Sequence, residues 1–165
     1  VGVWAGRFAR FGCQTVGQLE TYTPSNCNRE LGPAKDSEVL GKHHLVSDYV
    51  RWGLHRGWVV DATLRQVQRH QAPKGRYYID EDTWIAVLGD RWDANGQLWR
   101  TIWNLPTVMP DLPATADLTF GFNDLVTGAG FIADLYNQSS AQYRPVPRFP
   151  ESAFTPDAMA GEGGR

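Results

Sequence analysis

The sequence has no apolar run near the roughly 18 residues that a membrane-spanning helix needs. It has no excess of basic charge. The 16 Lys and Arg stand against 18 Asp and Glu, a net charge of -2, and the short basic pairs form no run. Strong electrostatic attraction to nucleic acid or anionic lipid is therefore not implied. There is no Gly-rich phosphate loop, and the Gly-Ala-Gly at 128–130 reads as a turn. No G-x-S-x-G elbow surrounds Ser47, Ser139 or Ser140, so no serine near the predicted strands is set up as a nucleophile. The opening, VGVWAGRFARFGC, has the form of neither a signal peptide nor a lipoprotein cleavage box, because basic and aromatic residues precede Cys13. It reads as an internal or processed terminus.

What is present fits one globular domain spanning residues 1–165, with 42% hydrophobic and 21% charged residues. The two cysteines, Cys13 and Cys27, lack the C-x-x-C spacing of redox and zinc sites. They lie in a segment rich in Gly, Asn, Thr and Pro, and the preferred reading is a disulfide closing that loop. Such a bridge contributes about 3 kcal/mol if unstrained and belongs to an oxidising compartment. Two separate thiols are the alternative.

Residues 1–40 read as an irregular, Cys-containing segment, broken by Pro24, Asn26, Gly32 and Pro33. Residues 43–51 read as a short helix or the approach to a strand. From Leu54 the pattern turns to period two: Trp58, Val60, Ala62 and Leu64 share one face, and Val59, Asp61, Thr63 and Arg65 the other. Further strands are expected at 75–79, 83–92, 96–105, 116–124 and 130–137. Residues 52–143 therefore read as an antiparallel meander. The Pro-punctuated stretch at 106–114 reads as a loop, and residues 144–165 as an extended, breaker-rich tail that frays at 161–165.

The run YYIDEDTWIAVLGDRWDANGQLWRTIW places three acids, Asp80-Glu81-Asp82, between two strands. Asp forms turns because its carboxylate bonds backbone N–H groups just ahead of it. Asp93-Ala94-Asn95-Gly96 is a second turn, with the Asn-Gly pair of a tight hairpin. The two turns lie at opposite ends of a strand, about 30 Å apart, so they cannot share one metal. The second also lacks the remaining ligands of a calcium loop. Asp80 and Asp82 could serve as a general acid and base, with His70 as partner in a hydrolase. The turn reading is favoured because no cleft or nucleophile is visible nearby.

His43, His44 and His55 lack zinc-ligand spacing, so no metal, no cofactor and no catalytic residue is assigned. His55, Arg56, Arg69 and His70 lie on or beside neighbouring strands. They suit cross-strand ion pairs or a polar ligand head group. Six of the seven tryptophans fall between residues 52 and 103. Core packing accounts for most. Trp58, Val60, Trp84, Leu88 and Trp92 are the candidates for lining a hydrophobic cavity instead.

The segments Leu54–Leu64, Arg69-His70, Tyr77–Trp84 and Asp90–Arg100 resemble the bacterial family called domain of unknown function 1329, described as outer-membrane lipoprotein-sorting-like. Its pattern runs E-L-H-R-V-W-V-V-E-A-T-L, R-H, F-Y-I-D-E-D-S-W and D-x-Y-D-x-x-G-x-L-W-R. The close match covers about 52–103, and the ending FTPDAM with its final GR adds 154–165. The first 40 residues match poorly. The family's usual length is well over twice this chain, which suggests the C-terminal portion of a longer architecture.

The resemblance implies a mainly β fold: a curved antiparallel half-barrel, similar to lipoprotein carriers, with few helices around an apolar cavity. It also implies a Gram-negative periplasmic setting, no established catalysis, and an envelope exporter or outer-membrane protein as partner. The expectation is a non-catalytic carrier for a lipid or other hydrophobic molecule. The competing readings are an adaptor that packs its aromatic sheet on another protein, and the hydrolase.

Overall fold

The computed structural model describes residues 8–138 and 146–162. Trp4, Ser139, Ser140 and residues 163–165, part of the stretch expected to fray, lie outside the described residues. Seven strands form one open antiparallel sheet in sequence order: β1 (Phe11–Pro24), β2 (Trp52–Leu64), β3 (Lys74–Asp80), β4 (Ala86–Trp92), β5 (Leu98–Met109), β6 (Ala114–Asp124) and β7 (Gly130–Ala133). Two short helices, α1 (Asp36–Val39) and α2 (Pro156–Glu162), accompany it. The expected class, a mainly β curved antiparallel sheet with few helices, is the observed one. The sheet curls strongly: Cα atoms of β1 come within 8 Å of both β4 and β5, which are not its neighbours.

Hairpin chemistry sets the meander. Asp93 closes the β4–β5 turn by accepting the N–H groups of Asn95 and Gln97 at 2.9 and 2.8 Å. Gly96 follows at φ +79, a backbone conformation that suits glycine. Asp124 does the same work between β6 and β7. It accepts the N–H groups of Val126 and Thr127, the indole N–H of Trp99 at 2.8 Å and the Arg100 Nε–H at 3.3 Å. These bonds, led by Thr127, hold the Asp124 carboxyl down at about 2.

Register assigns the faces. The cross-strand series Leu19–Gly57–Asp80, Val59–Tyr78–Leu88–Trp103–Gly121 and Asp61–Arg76–Asp90–Thr101–Asn123 marks one face. Leu19 on that face lines one cavity with Leu88 and Trp103 across the curl, so it is the inner face. The outer face carries Trp58 opposite Ile79, Val60 opposite Tyr77, and an apolar cluster of Ala86, Ile102, Tyr77, Ile79 and Phe122. Asn104 bridges three strands there, donating to Ala86 O and to Asp117.

Several expectations are corrected. The segment read as irregular contains β1, paired from Phe11 opposite Leu64 to Pro24 opposite Trp52, with a bulge between Thr15 and Gly17. It is a polar edge strand, so the hydrophobic alternation that betrays half-buried strands is weak. Cys13 and Cys27 are not bridged. Cys13 points outward from β1 while Cys27 lies buried beyond its end, and an extended strand puts them roughly 40 Å apart. Cys27 donates its S–H to Arg51 O instead.

β4, expected from residue 83, starts at Ala86, because the turn runs on through Trp84. The stretch expected as a loop at 106–114 is mostly strand, with Pro106 accommodated at a bulge beside Leu105. β7 stops at Ala133, short of 137. The tail contains the 3-10 turn Glu151–Phe154 and α2 rather than extended chain alone.

Two outcomes follow. Without reductant, iodoacetamide should add one label to the native protein, at exposed Cys13, and two after unfolding; a native protein that takes none would restore the bridge. Asp124 stabilises the fold fully above its unfolded value of about 3.9, and that contribution disappears as pH falls through about 2. The difference in Tm between wild type and Asp124→Asn should therefore shrink on acidification from pH 4 to pH 2.

Candidate functional site

Between Pro24 and Trp52 the chain leaves the edge strand, crosses the inner face and returns. Backbone bonds fix this crossing: Ser25 N–H to Arg51 O at 3.0 Å, Cys27 N–H to Pro106 O at 2.8 Å, and Val46 N–H to Val39 O at 2.9 Å. Asn28 pairs both ways with Val108, and Arg29 reaches Asp48 O at 2.8 Å. At the far side His43 Nδ1 meets Gly128 O at 2.9 Å, while Asn123 donates to His43 O at 2.7 Å. The crossing is thus fastened to β5 and to the β6–β7 hairpin.

Under it lies a cavity of about 590 Å3, within the usual range for small-ligand sites, about 300–1,000 Å3. Leu88, Trp103 and Leu105 form the floor, Leu19 a side wall, and Leu45 and Val50 the roof. Trp103 is fixed by its indole N–H bond to Asn123 at 2.9 Å. One end is polar. Tyr78 and Asp90 face the cavity, and burial raises both acids, Asp90 against the opposing pull of Arg76. Arg76 is itself clamped by Asp61 in a two-pronged pair at 2.7 and 2.9 Å. That clamp holds Asp61 below the usual carboxylate range. Asp61 and Arg76 are part-exposed, so their pair is worth only about 0–1 kcal/mol. Its geometric effect is to orient the guanidinium along the row of inner-face acids.

The structure distributes the predicted site residues widely. Leu88 lines the cavity. Trp92 is on the inner face but farther along it, beneath the Lys74 ammonium at 4.8 Å. Trp58 and Val60 are on the outer face, across the sheet from the cavity. Trp84 is at the β3–β4 turn, with φ +59 and 70% of its surface exposed. Its N–H bonds Asp80 O at 2.9 Å, which closes the turn and directs the indole outward.

His55 bonds Asp80 at 3.0 Å, and Arg56 is held by Glu81 at 2.7–2.8 Å. Arg69 and His70 lie in the β2–β3 connection, where His70 packs edge-on against Phe11 and bonds Ala72. None of these four lines the cavity. His70 and the Asp80–Asp82 turn are at opposite ends of β3, about 20 Å apart, so the hydrolase grouping is not assembled. Sequence reasoning missed the roof, Leu45 to Val50, and the β1 wall at Leu19 and Thr21. The alternation of Leu19, Thr21 and Thr23 was the available signal for the wall.

This geometry defines an open, curled antiparallel sheet that encloses an apolar cavity under a crossing segment. The sequence model of the family described as Protein of unknown function (DUF1329) matches residues 1–160, and the chain belongs to that family. The match includes the first 40 residues, which carry β1. The chain is 33% identical over 157 residues to the uncharacterized protein PA3922 of Pseudomonas aeruginosa, covering 94% of this chain and 34% of that one. It spans about a third of that relative's length. A solved domain from Vibrio parahaemolyticus, assigned by its name to outer membrane lipoprotein sorting, superposes with a TM-score of 0.49 at 10% identity, over 94% of this chain and 50% of that one. No helix among the described residues is long and apolar enough to cross a membrane.

Burial makes ionised Asp90 a cost to the folded state. Its folded pKa is raised, so its favourable contribution is complete below the unfolded value and is lost as pH rises through the folded one. Asp90→Asn should raise Tm at pH 7, with the gain vanishing below about pH 4. A lower Tm at pH 7 would show that the Arg76 attraction outweighs desolvation.

Proposed function

We propose that this chain holds a hydrophobic or amphiphilic molecule without chemically changing it, as part of a periplasmic carrier system. The carrying observation is the roofed cavity on the inner face, with Leu19, Leu45, Val50, Leu88, Trp103 and Leu105 around its apolar part. Its size suits an acyl or polycyclic group rather than a macromolecule. The polar end, formed by Tyr78, Asp90, Thr101 and Asn123, favours a neutral hydrogen-bonding or cationic head group. A bare anion there would face Asp90. In this reading the head-group contacts lie apart from His55, Arg56, Arg69 and His70. The periplasmic setting, and a partnership with an envelope exporter or outer-membrane protein, follow the family resemblance.

A second reading has its own observation. The outer face presents Trp58, Tyr77, Ile79, Phe122 and Phe131, with Phe131 stacked on Phe122 at 5.4 Å and 47% exposed. An adaptor would pack this face against another protein.

Binding of the fluorescent probe N-phenyl-1-naphthylamine, followed by mass spectrometry of lipids extracted from the purified protein, separates the two. Leu88→Glu puts a charge on the cavity floor and should reduce probe affinity at least tenfold while unfolding stays cooperative. Phe131→Ala should leave probe affinity within twofold. The opposite pattern, probe binding sensitive to Phe131 and indifferent to Leu88, would overturn the carrier reading in favour of the adaptor.

A further inference from the structure

The indole of Trp103 stands between two empty spaces. One is the cavity of about 590 Å3 described above. The other, of about 250 Å3, lies beyond it over β6 and β7, with Leu40, Ile132 and Leu135 around its apolar part. Trp103 and Asn123 from the sheet, and His44 and Leu45 from the crossing segment, border both. Protein interiors leave few voids larger than a water. A half-buried tryptophan with open space on two sides is a dividing wall rather than core filling.

The ring is held in that position from both edges. Its N–H donates to Asn123 Oδ1 at 2.9 Å. Asn123 Nδ2 donates in turn to His43 O at 2.7 Å, so one side chain ties the floor tryptophan to the roof. At the other edge the six-membered ring lies over Gly121, its cross-strand partner on β6. A Cβ on residue 121 would come within 2.6 and 2.7 Å of Cζ2 and Cη2, well inside the roughly 3.5–4.0 Å of a carbon contact. Glycine at 121 therefore makes room for the ring where it divides the two spaces.

We propose that Trp103 determines which molecules the cavity accepts: its indole seals the main chamber from the second and so limits the length of apolar chain that is held. The ligand class is a single-chain amphiphile whose neutral or cationic head group sits at the Tyr78–Asp90 end. This deepens the carrier reading and rests on it. While the main chamber fills, each added methylene leaves water and raises affinity about fourfold. A longer chain meets the indole, and its further methylenes stay in water and add nothing. Removing the indole joins the chambers, and the merged space still has the size of a small-ligand site.

Displacement of N-phenyl-1-naphthylamine by alkyltrimethylammonium ions of eight to sixteen carbons, below their micelle concentrations, reads this limit. In wild type, affinity should climb with chain length and then level off. In Trp103→Leu the levelling should come at least two carbons later, which raises affinity for the longest chains at least tenfold and leaves the shortest within threefold. Trp103→Leu combined with Ile132→Trp refills the second chamber and should restore the wild-type limit. Trp103→Phe, which keeps a ring but loses the bond to Asn123, should move the limit in the same direction and decides the matter if the leucine variant does not fold. A tryptophan that only supports the fold would, when replaced, weaken all chain lengths alike. That result, an unchanged limit, or a wild-type affinity that climbs through the whole series would overturn the inference and leave the carrier reading standing. A wild type that binds neither the probe nor any alkyl cation would overturn both.

Discussion

Everything on the inner face depends on the pairing of β1 with β2. That ladder holds an otherwise weakly hydrophobic strand at the edge of the sheet and bends it toward β4 and β5. Without it the cavity has a floor but no side wall, because Leu19 and Thr21 come from β1. The roof depends on it too. The crossing segment starts where β1 ends and returns where β2 begins, so one hydrogen-bonded strand pair fixes both of its ends. An edge strand with few apolar contacts is an economical way to do this, because backbone bonds need no particular side chains. Its side chains are then left for the cavity and for polar contacts.

Three aspartates, Asp80, Asp93 and Asp124, hold the hairpins, and their surroundings differ instructively. Asp93 serves an exposed turn with local backbone bonds alone. Asp124 combines such bonds with Trp99 and Arg100, which ties the β6–β7 hairpin to β5. Arg100 also stacks over the rings of Trp99 and Phe122, at 3.9 and 4.4 Å, so a turn acid anchors part of the aromatic outer face. Asp80 is the most buried, and its second oxygen reaches across to His55. The same local chemistry thus ranges from simple chain reversal to a long-range link between strands. Removing Asp80 would leave the Thr83 N–H and hydroxyl and the His55 imidazole, all part-buried, without their acceptor, a larger loss than removing an exposed ion pair such as Arg56–Glu81.

Much of the sheet was legible in the sequence because period-two alternation and turn residues agree in β2 to β6. Trp58 and Val60 alternate with Val59 and Asp61, and Asn95-Gly96 and Asp124 mark reversals. The cavity was legible only in part. Alternation shows that two faces exist, but not which one is concave, so Trp58 and Val60 were placed with Leu88 although they lie on opposite sides. Trp84 misled because its apolar character fits a strand, whereas the Asp80 turn captures the backbone through residue 84. The roof could not be read at all. Leu45 and Val50 gain their role from contacts with strands far along the chain, and no local pattern encodes that. Cys13 and Cys27 looked like a loop closure only while β1 was taken as a loop.

An open sheet has two edges, and each offers unpaired N–H and C=O groups to any extended chain that approaches. β7 limits this with only four residues. β1 is fourteen residues long, a far larger template, and its bulge between Thr15 and Gly17 interrupts it near the middle. A foreign strand that matches the register on one side of the bulge is out of step on the other. The irregularity that helps the sheet curl therefore also guards against edge-to-edge polymerisation, dividing a long adhesive border into two short ones.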